Sequence, residues 1–523
     1  MNVYSFSPFG YEGSLVAVEV DLRRGIPAID MVGLAGGAVR ESRERTRVAI
    51  KNSGFEFPPE RILINLSPAD IKKDGAGFDL AIALAVLAAK EPASGGAPPA
   101  EETSAVLVMG ELELSGRIRP VRGVFAAVSS ALEQGIWRCI VPLANGAEAE
   151  AGGMAVSACD TLAEAFAALK SYVREIPPSE APRRNVRDGT VEFPEMAHGF
   201  EFAEIKRQVQ LVRALQIAAA GAHNLLAYGP PGCGKTLALS RFPALLPFLT
   251  DEEARPVTRI HSLAGYARGE PLIRTPPFRV PHQSASLEGI AGGGRGCMPG
   301  EVSLAHNGAL FLDEAAEFRS NVLQTLRVPL EAGEITVSRA GRNSVYPASF
   351  QLLVAANPCP CGNFGSRDKV CLCSARSVEQ YWKKFSAPLL DRIDLRVPVF
   401  SEAEPARGAQ RGESPFASGA AASTAELRVA VGNAVRIQRQ RQGKRNRSLS
   451  PEEIRQYCVT DGGADSALSC AAADYGFSAR GTASCLKLAR TIADMDGREV
   501  IGEAHMKEAV LFRKHEGGFA FSF

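Results

Sequence analysis

The sequence predicts an α/β protein. Its centre is a parallel sheet around a phosphate-binding loop, with a mixed α+β region before it and a helical region after it. Three observations carry this prediction. Residues 229–236 read Gly229-Pro230-Pro231-Gly232-Cys233-Gly234-Lys235-Thr236, the spacing of a P-loop. Segment 196–400 alternates strand-like and helical runs around that loop, as a parallel sheet requires. Beyond 425, apolar residues recur at helical spacing over 426–441, 483–494 and 502–512.

The first region, 1–175, mixes strand-like runs (14–20, 61–66, 105–109) with helical ones (38–53, 78–89, 124–134). A Pro/Gly/Ala-rich stretch, 92–103, reads as a loop within it. A Pro-rich, charged stretch makes 176–195 an interdomain linker. The core follows over 196–400. Ala/Gly/Ser enrichment makes 401–424 a second, flexible linker, and 425–523 becomes a helical lid.

Composition narrows the function classes. The chain has 523 residues, 46% hydrophobic and 22% charged, which fits several folded domains. A net charge of +1 gives no bulk signal for nucleic acid, so a polyanion would need a local patch. The longest apolar run, 80–89, is too short to span a bilayer, and residues 1–5 lack the marks of a signal peptide. The 11 cysteines are odd in number and scattered, unlike a secreted disulfide framework. A cytoplasmic protein without membrane contact is expected.

The P-loop follows the apolar run 224–228 and precedes a helix start at Leu237. Its glycines let backbone N–H groups approach phosphate oxygens, and the helix N-terminus adds its positive dipole end. Lys235 is expected on the β- and γ-phosphates of ATP and Thr236 on Mg²⁺. The run Ala309-Leu310-Phe311-Leu312 ends in Asp313 and Glu314, a Walker B pattern. Asp313 is expected to bind Mg²⁺ through water and Glu314 to polarise the attacking water. A third apolar strand, 352–356, ends in Asn357, where a γ-phosphate sensor would sit; a strand-ending Asn in an ordinary turn fits equally well. Arg392, in Leu389-Leu390-Asp391-Arg392-Ile393-Asp394, is a candidate arginine finger, worth roughly 10³–10⁵ in rate. A surface Arg paired with Asp391 or Asp394 is the alternative. Arg480 opens a late helix as a candidate second sensor, or as a solvated Arg.

Between Walker B and the sensor strand, 334–337 and 344–347 flank Ser338-Arg339-Ala340-Gly341-Arg342-Asn343. This reads as a β-hairpin with a basic tip. Arg339 and Arg342 are candidates for sequence-independent contacts to DNA phosphates, or a tip that is basic for solubility. Arg436, Arg439, Arg441, Lys444, Arg445 and Arg447 form a second basic cluster, for DNA or a solvated helix face. Cys359, Cys361, Cys371 and Cys373 give C-x-C, nine residues, C-x-C. Four thiolates so close in sequence suit a structural Zn²⁺, and unligated cytosolic thiols are the alternative.

In this order the motifs resemble an AAA+ ATPase, and more closely the magnesium-chelatase-like group, whose bacterial members include the ComM (YifB-type) competence proteins. The matching blocks are Ala38-Val39-Arg40-Glu41-Ser42-Arg43-Glu44-Arg45, Asn65-Leu66-Ser67-Pro68-Ala69-Asp70, Pro299-Gly300-Glu301-Val302-Ser303-Leu304-Ala305-His306-Asn307-Gly308 and Asn357-Pro358-Cys359-Pro360-Cys361-Gly362. Gly33-Leu34-Ala35-Gly36 and Pro281-His282-Gln283 depart from the group's pattern, which has Gly-Leu-Pro-Asp and Pro-His-His there. The resemblance implies a homo-oligomer, a hexamer, working as an ATP-driven branch-migration motor on single-stranded or branched DNA in natural transformation and recombination. In related ring helicases a hairpin at this place lines the central pore.

Residues 72–77 and 110–121 resemble the proteolytic domain of Lon-type proteases. Those need a Ser nucleophile and a Lys, but the matching positions hold Gly77 and Phe125, so the resemblance implies the α+β fold without proteolysis. Two other functions compete with the motor. One is a chelatase-type ATPase that remodels a protein partner. The other is a proteolytic or unfolding machine, which Gly77 and Phe125 disfavour.

Overall fold

The computed structural model describes residues 2–73, 75–91, 105–171, 191–195, 200–205, 208–267, 271–294, 296–339, 342–364, 369–399 and 422–513. The loop at 92–103 lies outside them, as do most of both linkers.

The N-terminal region is built on strands β1 (Asn2–Ser7), β2 (Ser14–Arg23), β3 (Ile29–Val32), β4 (Arg61–Ser67), β5 (Ala105–Val108), β8 (Arg138–Pro142) and β9 (Ala155–Cys159). A small hairpin, β6 (Glu111–Leu112) with β7 (Ile118–Arg119), lies beside them. The seven strands run in the order β3-β4-β2-β1-β5-β8-β9. β2 pairs antiparallel with β1 and β4, while β5, β8 and β9 pair in parallel. Helix Asp79–Lys90 is apolar almost all round because it is buried almost all round; Leu80 to Leu84 have no exposed surface. Asp79 starts this helix without solvent contact, and the Arg45 guanidinium grips it at 3.0 and 3.2 Å. The Arg45 of the family-like block therefore has a structural partner. Lys73, also buried, gives its ammonium to the carbonyls of Gly33 (2.8 Å) and Pro68.

The core sheet is parallel throughout. Its strands are β10 (Leu225–Tyr228), β11 (Phe278–Arg279), β14 (Ala309–Leu312), β17 (Gln351–Ala356) and β18 (Leu395–Pro398), in the order β11-β14-β17-β10-β18. Both faces are covered, which is why these strands read as continuous apolar runs rather than alternating ones. Leu225, Ala227, Phe311, Leu353 and Leu395 face helix Val209–Gly221 and the C-terminal helices. Leu226, Leu310, Leu312, Leu352 and Val354 face the opposite layer.

Two hairpins stand off this sheet: β12 (Gly292–Gly293) with β13 (Met298–Pro299), and β15 (Glu334–Arg339) with β16 (Arg342–Pro347). The second is the expected basic hairpin, and its pairing runs out to Arg339 opposite Arg342. The N-terminal region docks on its base. The Tyr11 amide donates to Ser344 Oγ at 2.8 Å, and the Tyr11 ring meets the Tyr346 ring edge-on at 5.7 Å. Arg259 lies over Tyr11 at 4.6 Å and donates to its carbonyl at 3.0 Å.

The C-terminal region is helical: Thr424–Gln442, Pro451–Tyr457, Gly462–Tyr475, Ala479–Met495 and Glu503–Arg513. Capping boxes start the first two, Ser423 with Glu426 and Ser450 with Glu453. The second basic cluster is largely taken up in tying these helices to the core and to one another. Arg439 binds Glu253 (3.1 Å), Arg441 binds Asp494 (2.7 Å), Lys444 binds Glu453 (2.7 Å), Arg445 donates to Ala220 O (3.1 Å) and Arg447 to Phe350 O (2.8 Å). Sequence spacing sees only their charge; apart from Glu453, the carbonyls and acids that take it come from distant segments.

Candidate nucleotide-binding site

The P-loop runs from the end of β10 into helix Lys235–Ser240. Gly232 and Gly234 sit at φ +81° and +85°, the left-handed region where a side chain is strained. Gly229 is needed for another reason: a Cβ there would lie 1.9 Å from Val399 O, so the loop could not leave the sheet this way. Pro230 and Pro231 follow, and Gln208 Nε2 donates to Cys233 O at 3.1 Å.

Lys235 is buried, and its ammonium donates to Gly229 O (2.6 Å) and Pro230 O (2.8 Å) and lies 3.4 Å from Asn357 Oδ1. Burial lowers its pKa. Cys233 Sγ is 3.6 Å from the same nitrogen. Thr236 Oγ1 donates to Asp313 Oδ1 at 3.1 Å. A hydroxyl and a carboxylate brought together from two elements form the oxygen set that suits Mg²⁺. Glu314 follows at φ +47°, a left-handed conformation unusual for a residue with a Cβ. Its amide donates to Asp313 Oδ1 at 3.0 Å. Lys235, Thr236, Asp313 and Glu314, with Asn357, line one cleft of about 340 Å³. The fold thus brings five sequence-derived candidates, Lys235, Thr236, Asp313, Glu314 and Asn357, to one place from β10, β14 and β17.

Arg392 and Arg480 do not line that cleft. Both lie on Glu331 instead: Arg392 Nη2 binds Glu331 Oε2, and Arg480 Nη2 donates to Glu331 Oε1 at 2.7 Å. Arg480 also lies 3.8 Å from Asp391. From sequence, a surface Arg392 pairs with Asp391 or Asp394. Asp391 instead serves Arg513 at 3.0 Å, and Asp394 accepts from Ser484 at 2.6 Å. Nothing in the sequence marks Glu331, an ordinary helix charge until the two arginines converge on it.

Arg339 extends half-exposed from β15, with Glu288 3.8 Å away. The side chain of Arg342 and the tip residues 340–341 lie outside the described residues. Three side chains of the block 299–308 make contacts that hold the fold. Glu301 grips Arg279 at 2.6 and 2.8 Å, His306 Nδ1 accepts from the Ser349 amide at 3.0 Å, and Asn307 Nδ2 donates to Glu253 O at 2.9 Å. Together they pin the entry to β14 and so the height of Asp313.

Just past Asn357, the four cysteines converge although residues 365–368 of the intervening segment are not described. Cys359 Sγ lies 3.4 Å from Cys361 Sγ and 3.7 Å from Cys371 Sγ, and all four sulfurs fall within 4.8 Å of one another. This set could hold a metal ion. Among the described residues, no helix is long and apolar enough to cross a membrane.

Comparison with known proteins matches three family descriptions along the chain: "Magnesium chelatase, subunit ChlI" over 201–406, "Subunit ChlI of Mg-chelatase" over 18–145 and "Magnesium chelatase, subunit ChlI C-terminal" over 421–513. An uncharacterized protein of Mycobacterium tuberculosis is 40% identical across 98% of both chains. The uncharacterized protein YifB of Escherichia coli is 37% identical, covering 98% of this chain and 96% of its own. The competence protein ComM of Haemophilus influenzae is 36% identical, covering 98% and 97%.

Proposed function

This chain belongs to the magnesium-chelatase-like family that includes YifB and ComM, and from that premise we propose that it is an ATP-driven DNA motor. The reading is a hexameric, cytoplasmic branch-migration ATPase that helps integrate single-stranded DNA in transformation and recombination. The name of the ComM relative supports a competence role. The observation that carries the motor reading is the joining, in one core, of a phosphate cleft and a basic hairpin. Lys235 and Asn357 meet at the cleft, and the neighbouring hairpin carries Arg339 at the end of its pairing.

ATP and Mg²⁺ are the cofactors of this reading. Lys235 and the P-loop amides would hold the phosphates, and Thr236 and Asp313 would hold Mg²⁺, which neutralises charge on the transferring phosphoryl group. Glu314 orients water and Asn357 senses the γ-phosphate. Arg392 and Arg480, gathered on Glu331 outside the cleft, would serve the cleft of an adjacent subunit, so that turnover belongs to the ring. Under the same reading the N-terminal domain is Lon-like in fold and carries no Ser–Lys dyad, and it steadies the hairpin through Tyr11.

ATPase assays with forked or four-way DNA, across salt concentrations, test this directly. The motor reading expects stimulation that fades with salt. A chelatase-type ATPase that remodels a protein partner is the second reading, favoured by the family descriptions themselves. It expects no DNA stimulation and tight binding to a protein.

A further inference from the structure

We propose that Cys359, Cys361, Cys371 and Cys373 bind one structural Zn²⁺, and that this metal braces the nucleotide cleft from behind. Tetrahedral Zn²⁺ with sulfur at about 2.3 Å spaces its ligands about 3.8 Å apart. The separations of 3.4, 3.7 and 3.6 Å among Cys359, Cys361 and Cys371 are close to that edge and far from a disulfide bond. All four thiols are free, and Cys373 completes the group within 4.8 Å. The Phe364 amide donates to Cys359 Sγ at 3.3 Å, the kind of outer contact that orients a metal-bound thiolate. Four sulfurs fill a tetrahedral ion's coordination, so the metal is structural rather than catalytic.

Its position gives it work to do. Cys359 lies two residues beyond Asn357, and Pro358 between them accepts from Trp382 Nε1 at 3.0 Å. Gly362, inside the first C-x-C loop's turn, takes φ +76° and lies so near the P-loop that a Cβ would stand 2.7 Å from Pro231 Cδ. The cysteine knuckle thus touches the P-loop on one side and continues from the candidate sensor strand on the other. No helix or strand holds residues 357–364 or 369–374, so cross-linking through the metal fixes where Asn357 and Pro231 stand. The metal assignment stands on the cysteines alone; its effect on nucleotide binding rests on the ATPase reading above.

The test begins with metal analysis of the full-length protein purified without chelator. One Zn²⁺ per chain is expected, with a tetrahedral sulfur-ligand spectrum after Co²⁺ replacement. The Cys371→Ser/Cys373→Ser double variant should lose the metal, and Cys470→Ser, at an exposed thiol elsewhere, should keep it. Stripping the wild-type protein should weaken binding of a fluorescent ATP analogue several-fold, and Zn²⁺ should restore it, which separates the brace from any folding defect of the variant. Substoichiometric zinc, or a Cys359–Cys361 disulfide in the native protein, overturns the metal site. Unchanged nucleotide affinity after complete stripping overturns the brace and leaves the metal assignment intact. Restored affinity combined with no ATP hydrolysis in any state would overturn the ATPase reading instead.

Discussion

Glu331 binds Arg392 within the same chain, and its second oxygen takes Arg480 at 2.7 Å. The two arginines hold the Glu331 pKa below the ordinary range. An arginine held this way must exchange one anion for another to meet a phosphate. Arg392→Ala is therefore expected to lower turnover about 10³-fold with ATP affinity kept. Mixing Arg392→Ala with Lys235→Ala subunits should recover part of the activity, because some junctions then pair an intact P-loop with an intact finger. Steady-state ATPase on defined mixtures checks this; no recovery at any ratio rejects action between subunits.

The cleft makes a separable pair of predictions. Lys235→Ala should abolish ATP binding by calorimetry. Glu314→Gln should bind ATP yet hydrolyse it roughly 10²–10⁴ times more slowly. Gly229→Ala should lower thermal stability by about 1–3 kcal/mol, because the new methyl collides with Val399 O.

Arg339→Ala should reduce DNA stimulation and lower the slope of log affinity against log salt by about one, with basal ATPase kept. Fluorescence anisotropy at several salt concentrations measures the slope. A matching fall in basal turnover would show that the residue supports the fold.

Burial lowers the His306 pKa to about 4 from 6.5, and the neutral ring accepts the Ser349 amide at Nδ1. A depressed pKa means that the unfolded chain binds the proton more readily. The stabilisation is thus present above pH 6.5 and is lost as pH falls toward about 4. Thermal melts between those values should decline, and His306→Gln should flatten this decline.

Much of the candidate site was legible in the chain. The P-loop, the strand ending in Asp313 and Glu314, and the strand ending in Asn357 announce themselves because buried parallel strands must be apolar and the phosphate site must be glycine-rich. The basic hairpin was legible too, since its strands alternate around a turn. The cluster from Arg436 to Arg447 stayed ambiguous because a charge count cannot tell solvent from the Glu253, Asp494 and Ala220 carbonyl that take Arg439, Arg441 and Arg445.

Local order alone nominated the candidates: which backbone could cradle phosphate, which strand could be buried, which four thiols could chelate. Tertiary structure decided what met what. Lys235 reaches Asn357 across 122 positions of sequence, and Arg480 reaches Glu331 across 149. Such contacts are set by how sheet, hairpin and helices pack, and packing depends on shape summed over the whole core, which no short window of residues contains.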